Sequence, residues 1–138
     1  MITEAWGTTG MFKRIPNPFI STFSDAVSIE MGDYTTVHVS GQVGNDASGK
    51  VTAASFEAEA ALCFGNVAKV LERAGASLAD VVRISAYLTD LADYPAYSKA
   101  RGAAFPTNPP ASATVQVAGL LANARLEIDA VAVVRTKR

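Results

Sequence analysis

Apolar and polar residues alternate over several short stretches and recur at helical spacing over two longer ones. Residues 25–31 place Val27, Ile29 and Met31 on one side, Gly32-Asp33 turns the chain, and residues 35–41 alternate again through Val37 and Val39. Two period-two runs joined this tightly predict a β-hairpin. NDASGK at 45–50 is a turn cluster. From 53 to 74, Phe56, Ala60, Cys63, Val67, Val70/Leu71 and Ala74 step by three and four, which marks a helical stripe that Gly75 ends. Ser77 and Asp80 have capping-box spacing for a short turn. Val82, Ile84, Ala86 and Leu88 alternate with Arg83, Ser85 and Tyr87, predicting a strand. Asp90 or Asp93 can cap a second helix with Pro95 in its first turn; Tyr94, Tyr97, Arg101 and Phe105 share its face. PTNPPA at 106–111 stops that helix. Strands over 112–118 and 125–134 close the chain, and residues 1–18 read as an irregular lead-in.

The predicted order is ββ-α-β-α-ββ in one α/β domain over residues 1–138. Two helices cover one face of such a sheet. The other face carries Ser112, Thr114 and Gln116 with Glu127 and Asp129, or it carries the valines, and it must meet water or a partner subunit.

Composition adjusts this picture in three ways. With 49% hydrophobic and 18% charged residues, the chain has extra apolar surface to cover, which favours an oligomer. A net charge of −1, with basic residues scattered apart from Arg135-Thr136-Lys137-Arg138, argues against broad nucleic-acid binding. One cysteine and one histidine exclude a disulfide framework and clustered zinc sites. No apolar run is long enough for a membrane span, and no signal pattern opens the sequence, so a cytoplasmic protein is expected. Neither G-x-G-x-x-G nor G-x-x-x-x-G-K occurs, so no cofactor is expected.

Chemistry-bearing candidates are few. Glu127 and Asp129 share one side of the last strand, as a pair for acid–base work or as a solvated edge. Cys63 lies on the apolar stripe and reads as a packed thiol. His38, opposite Val37 and Val39, reads as structural, with no partners for a Ser-His-Asp arrangement. Ser40-Gly41 ends the second strand where a ligand could approach the backbone, or where a bulge lies.

Several stretches together resemble the RidA/YjgF family: VSGQVG (39–44), LCFGNVAKVLERAGASLADVV (62–82), SAYLTDLADYPAY (85–97) and the pair PPASATVQVAGL/ARLEIDAVAV (109–120, 124–133). The resemblance runs from Phe19 to Val133. It implies a chorismate-mutase-like fold assembled as a homotrimer, with the sheets inside, the helices outside, and a small-molecule cleft between neighbouring subunits. The activity it implies is hydrolysis of enamine or imine acids to a 2-keto acid and ammonium.

The family's signature arginine, which forks onto the substrate carboxylate in a P-A-R-S-like sequence, matches Ser112 of Pro110-Ala111-Ser112-Ala113. A hydroxyl cannot neutralise a carboxylate, and losing the charge-assisted pair costs on the order of 1.5–3 kcal/mol. The family's water-orienting glutamate corresponds to Glu127, and its Ser40-Gly41 strand end is kept. Its aromatic corresponds to Phe23, without the usual tyrosine hydroxyl; its cysteine to Thr114; its helix-two asparagine to Ser98. Arg101 and Arg125 are the candidates to replace the missing charge. Arg101 is expected in a structural ion pair and Arg125 in solvent. The implied reading is a hydrolase of C–N bonds less dependent on a carboxylate clamp than 2-aminoacrylate deaminases are. The alternative is a non-catalytic trimer that binds a metabolite or protein in the same clefts. Nuclease activity, attached to some relatives, finds no basic channel or histidine pair here.

Overall fold

In a computed structural model, which describes residues 11–137, the chain forms a six-stranded sheet with two helices. The strands are β1 (Phe12–Pro16), β2 (Ser24–Met31), β3 (Tyr34–Val43), β4 (Val81–Leu88), β5 (Ala111–Gln116) and β6 (Leu126–Arg135). The helices are α1 (Phe56–Arg73) and α2 (Tyr94–Ala104). The spatial order is β1-β2-β3-β6-β4-β5, antiparallel throughout except for the parallel pair β4–β5.

This is the mixed α/β sheet expected from the sequence, with one correction. Phe12–Pro16 is not irregular: it is an edge strand paired to β2, so the order is βββ-α-β-α-ββ. FKRIP escaped notice because only Ile15 is buried, so no apolar alternation marks it. Residues 1–10 and Arg138, part of the expected lead-in and basic tail, lie outside the described residues.

Helix α1 starts where Ser55 accepts the N–H of Ala58 and ends in a Schellman motif around Gly75, whose φ of 81° suits glycine. The Ala76 N–H reaches the Leu71 carbonyl at 2.8 Å, and the Gly75 N–H reaches that of Glu72 at 3.0 Å. Its stripe of Phe56, Ala60, Cys63, Val67, Val70 and Leu71 is buried against β3 and β6. Val37, Val39, Ile84, Ala86, Leu88, Leu126, Ile128, Ala130 and Ala132 face it from the sheet. Helix α2 lies beside α1, its Tyr97 stacked on Phe64 at 6.1 Å.

Among the described residues, no helix covers the far side of the sheet. Tyr87, Glu127, Asp129, Val131 and Val133 face it, as do Val27, Ile29 and Met31 of β2. The alternation in β2 was legible, but its buried side is Ala26 and Ser28, and the larger side chains point to the open face. The edge strand β5 is exposed along nearly its whole length.

Candidate functional site

Glu127 is set in place by charges at the start of β6. The fully buried Glu59 of α1 accepts the backbone N–H of Arg125 at 2.7 Å and its Nε at 2.8 Å, while Arg125 Nη2 donates to the Ala53 carbonyl at 2.9 Å. Arg125 is therefore not a solvent-facing charge, as its place at a strand mouth suggested; it anchors β6 to α1 and is not available to a ligand. The signal for this pair was present but unused: Phe56, Glu59 and Cys63 lie three and four residues apart, so an acid interrupts the apolar stripe and needs a cation.

Two residues along β6, the half-buried Glu127 lies over Gly41. A Cβ built on Gly41 would sit 2.6 Å from Glu127 Oε2 and 2.8 Å from its Cδ, so glycine lets the carboxylate lie in this position without being pushed aside. The β3–β6 register shifts here: Val39 faces Ala130 and Gln42 faces Ile128, leaving Ser40 and Gly41 together opposite Asp129. The strand end is a β-bulge, a device that re-aims side chains beside a site. Partial burial raises the Glu127 pKa above its ordinary 4.5, and the negative charge of Asp129 raises it further. Tyr87 donates to Asp129 at 3.0 Å.

A cavity of about 340 Å³ opens beside Glu127, lined by Phe19, Phe23, Gly41, Val43, Leu121 and Glu127 among others. Its loop is pinned by Asn17, which accepts the N–H groups of Phe19 and Ile20 at 2.8 Å each and donates to Asp25 at 2.7 Å. Phe23 is 42% and Leu121 83% exposed, an apolar rim left uncovered within one chain. A larger cavity, about 490 Å³, is lined by Asp25 and Arg73 among others, which already pair with each other at 2.7 Å.

Thus Glu127, Phe23 and Gly41 meet around one cavity. The Ser40 side chain does not join them, because its Oγ donates to the Ser24 carbonyl at 2.6 Å.

Ser98, Ser112 and Thr114 assemble elsewhere. Ser112 pairs in register with Ile84 and Thr114 with Ala86, both buried beneath the helices, whereas Tyr87, the neighbour of Glu127, pairs with Val115. In this pleat the two hydroxyls face the helix side and Glu127 and Asp129 the open side. The sequence reading that put all five polar residues on one face is corrected: period two sets alternation along each strand, but the phase between β5 and β6 comes from pairing.

On the helix side the central group is Arg101 of α2. Its Nη1 lies 3.5 Å from Ser112 Oγ, and its Nη2 lies 3.1 Å from the Tyr94 hydroxyl and 3.4 Å from Ser98 Oγ. The guanidinium carbon sits 5.7 Å from the ring centre of Tyr94 and 5.2 Å from that of Tyr97. The expected structural ion pair does not form with any described residue; Arg73 pairs with Asp25 and Arg125 with Glu59 instead. The tyrosines were read as one helix face, and their role in holding this cation was missed.

Cys63 is fully buried, its thiol donating to the Gln42 carbonyl and its pKa pushed up by burial, as a packed thiol should be. His38 is exposed on β3. No group of side chains suited to hold a metal occurs among the described residues, and none of their helices is long and apolar enough to cross a membrane.

Comparison with known proteins places this geometry in context. The sequence model of the family described as Endoribonuclease L-PSP matches residues 16–134. A 2-iminobutanoate/2-iminopropanoate deaminase of Dermatophagoides farinae is 34% identical over 120 residues, 86% of this chain and 90% of the relative. The protein of the same name from Homo sapiens is 33% identical over 115 residues, 83% of this chain and 81% of its own. Among solved structures, RidA from an Antarctic Psychrobacter species superposes with a TM-score of 0.76 at 32% identity, covering 91% of this chain and 100% of its own.

Proposed function

Since the chain belongs to the endoribonuclease L-PSP (RidA/YjgF) family, whose members include imine deaminases, we propose that it hydrolyses the C–N bond of a small imine or enamine in a cleft between two copies of itself. The observation that carries this reading is the Glu127 carboxylate, half-buried over Gly41 beside an open cavity and held basic by burial and Asp129. A carboxylate with a raised pKa is a stronger base toward water than an ordinary one, and its acid form can return the proton. Water adds to the imine carbon while Glu127 accepts its proton. The resulting carbinolamine collapses, the C–N bond breaks, and the nitrogen leaves as ammonia once the proton is passed to it, leaving a ketone. Phe23 packs against the apolar part of the substrate, and Gly41 leaves room for the carboxylate.

The second copy is needed because one chain separates its polar groups. Glu127 faces the open side, whereas Ser112 and Thr114 lie on β5, two strands away across the sheet and on its other face. Neighbouring strands are about 4.8 Å apart, so one small molecule does not span both sets within a chain. A trimer that buries the apolar open face and the β5 edge brings the Glu127 cavity of one copy to the Ser98, Ser112 and Thr114 edge of the next. The half-exposed Val27, Met31, Val115 and Phe23 support such burial. In this reading the strand position of the family's arginine holds Ser112, so the site differs from that of a standard 2-aminoacrylate deaminase.

The test is ammonium release from 2-iminobutanoate generated in place by an amino-acid oxidase. Acceleration by the wild-type protein that Glu127→Gln abolishes supports the reading. No acceleration overturns it in favour of a non-catalytic binding module, and acceleration unchanged in Glu127→Gln overturns the role given to Glu127.

A further inference from the structure

Among the described residues, Arg101 is a cation without an anion. It is half-buried, and the groups that hold it are the hydroxyls of Tyr94, Ser98 and Ser112 and the faces of two tyrosine rings. All of these are neutral. Aromatic faces and hydroxyls orient a guanidinium, but they leave its full charge uncompensated. A partly desolvated guanidinium with no carboxylate of its own is a receptor for one, and its planar fork matches two oxygens.

A second observation points to the same place. The Tyr97 hydroxyl is fully buried and makes no hydrogen bond of normal geometry among the described residues, although Ser112, Arg101 and Thr114 lie close enough to act on it. Burial raises its pKa, so it keeps its proton and remains a donor. A buried donor left unsatisfied costs about 1–3 kcal/mol, which a ligand oxygen reaching it would recover. The cluster also offers the Ser112 and Ser98 hydroxyls, all on the exposed β5 side of α2. Every neutral member is a donor, and the single charged member is positive.

We infer that Arg101, with the hydroxyls of Tyr94, Ser98 and Ser112, is a carboxylate-binding site displayed from helix α2, which in this chain takes the carboxylate of the imino acids that the family's named deaminases act on. The inference rests on the proposed hydrolase reading for its substrate, but not for the site itself. It revises the expectation of a pocket indifferent to carboxylates: Ser112 removes a charge from the strand, and Arg101 supplies one from the facing helix, 3.5 Å from the Ser112 hydroxyl. Arg101 acts here as a specificity residue, since it meets the end of the substrate remote from the C–N bond.

Two measurements separate the site from the chemistry. Binding of 2-oxobutanoate, followed by calorimetry, is expected for the wild type and for Glu127→Gln. It should weaken about 10- to 100-fold in Arg101→Gln, the worth of one charge-assisted pair. Arg101→Lys should recover part of the loss, because it keeps the charge but not the fork. The double variant Arg101→Gln/Ser112→Arg should recover most of it, because the charge returns on the other side of the same gap. In turnover, the ratio of kcat/KM for 2-iminobutanoate to that for a neutral imine of the same size should fall by a similar factor in Arg101→Gln, chiefly through KM. Binding without turnover in the wild type would sink the hydrolase reading and leave the carboxylate site standing. Turnover whose anionic-to-neutral ratio is the same in Arg101→Gln as in wild type overturns the carboxylate site and leaves the hydrolase reading. Failure of both charge-restoring variants to bind better than Arg101→Gln overturns it as well.

Discussion

Replacing Gly41 with alanine adds one methyl group, and the structure says where it goes. The new Cβ would lie 2.6 Å from Glu127 Oε2, so the carboxylate must retreat by about 0.8 Å to reach ordinary contact at 3.4 Å. A misplacement of this size in a reacting group costs on the order of 10²-fold in rate. The fold should barely notice. Gly41 is not among the positive-φ glycines, and the atoms it meets are the movable end of a side chain. Alanine lowers the entropy of the unfolded chain by about 0.4–1 kcal/mol, against about 0.5–1.5 kcal/mol for an off-rotamer Glu127. The net change is within about 1 kcal/mol, a Tm shift of at most about 4 °C for a chain of this length. Gly41→Ala is therefore expected to lose about two orders of magnitude in kcat for ammonium release from 2-iminobutanoate, with a melting point within about 4 °C of wild type. Wild-type kcat in this variant would refute the placement of the reacting carboxylate over Gly41. A melting point lowered by 10 °C or more would refute the claim that only Glu127 yields.

Other consequences can be checked independently. Glu127→Gln subunits, inactive alone, and Arg101→Gln subunits, weakened about 10- to 100-fold in kcat/KM, should together regain about a quarter of wild-type kcat/KM when unfolded and refolded at equal amounts, because each cleft draws one residue from each neighbour; no gain over Arg101→Gln alone would mean both act within one chain. Because the Glu127 pKa is raised by burial and then by Asp129, the acid limb of kcat/KM should lie above 4.5, and Asp129→Asn should move it to lower pH. The stability sign is opposite to that of a paired carboxylate. With its folded pKa above the unfolded value, Glu127 contributes stability below pH 4.5 that is lost as pH rises through the folded pKa. Glu127→Gln should thus melt higher than wild type at pH 7, and the difference should vanish in acid. Arg125→Met leaves the buried Glu59 with a backbone N–H as its remaining described donor, and it should lower unfolding free energy by about 3 kcal/mol, read from the urea midpoint.

Most of the architecture could be read from periodicity because its elements bury one face each. The α1 stripe from Phe56 to Leu71, the Gly75 stop and the β2–β3 hairpin all appear where the spacing put them. Strand β1 could not be read, since an edge strand with one buried residue has no pattern to display. Among the site residues, Glu127 and Gly41 were legible through the VSGQVG and RLEID stretches. Arg125 was misjudged because its partner, Glu59, lies 66 residues away in the chain.

What the sequence by itself determined is the set of alternations and caps, hence a two-helix α/β sheet with an uncovered face. Only the tertiary structure decided which polar residues share a face. Alternation carries no information about phase between strands, and phase comes from the register of β4 with β5 and β6. That register turns Ser112 and Thr114 toward α2 and Glu127 away from it. It also brings Ser112, eleven residues from Arg101 in sequence, to 3.5 Å from that guanidinium.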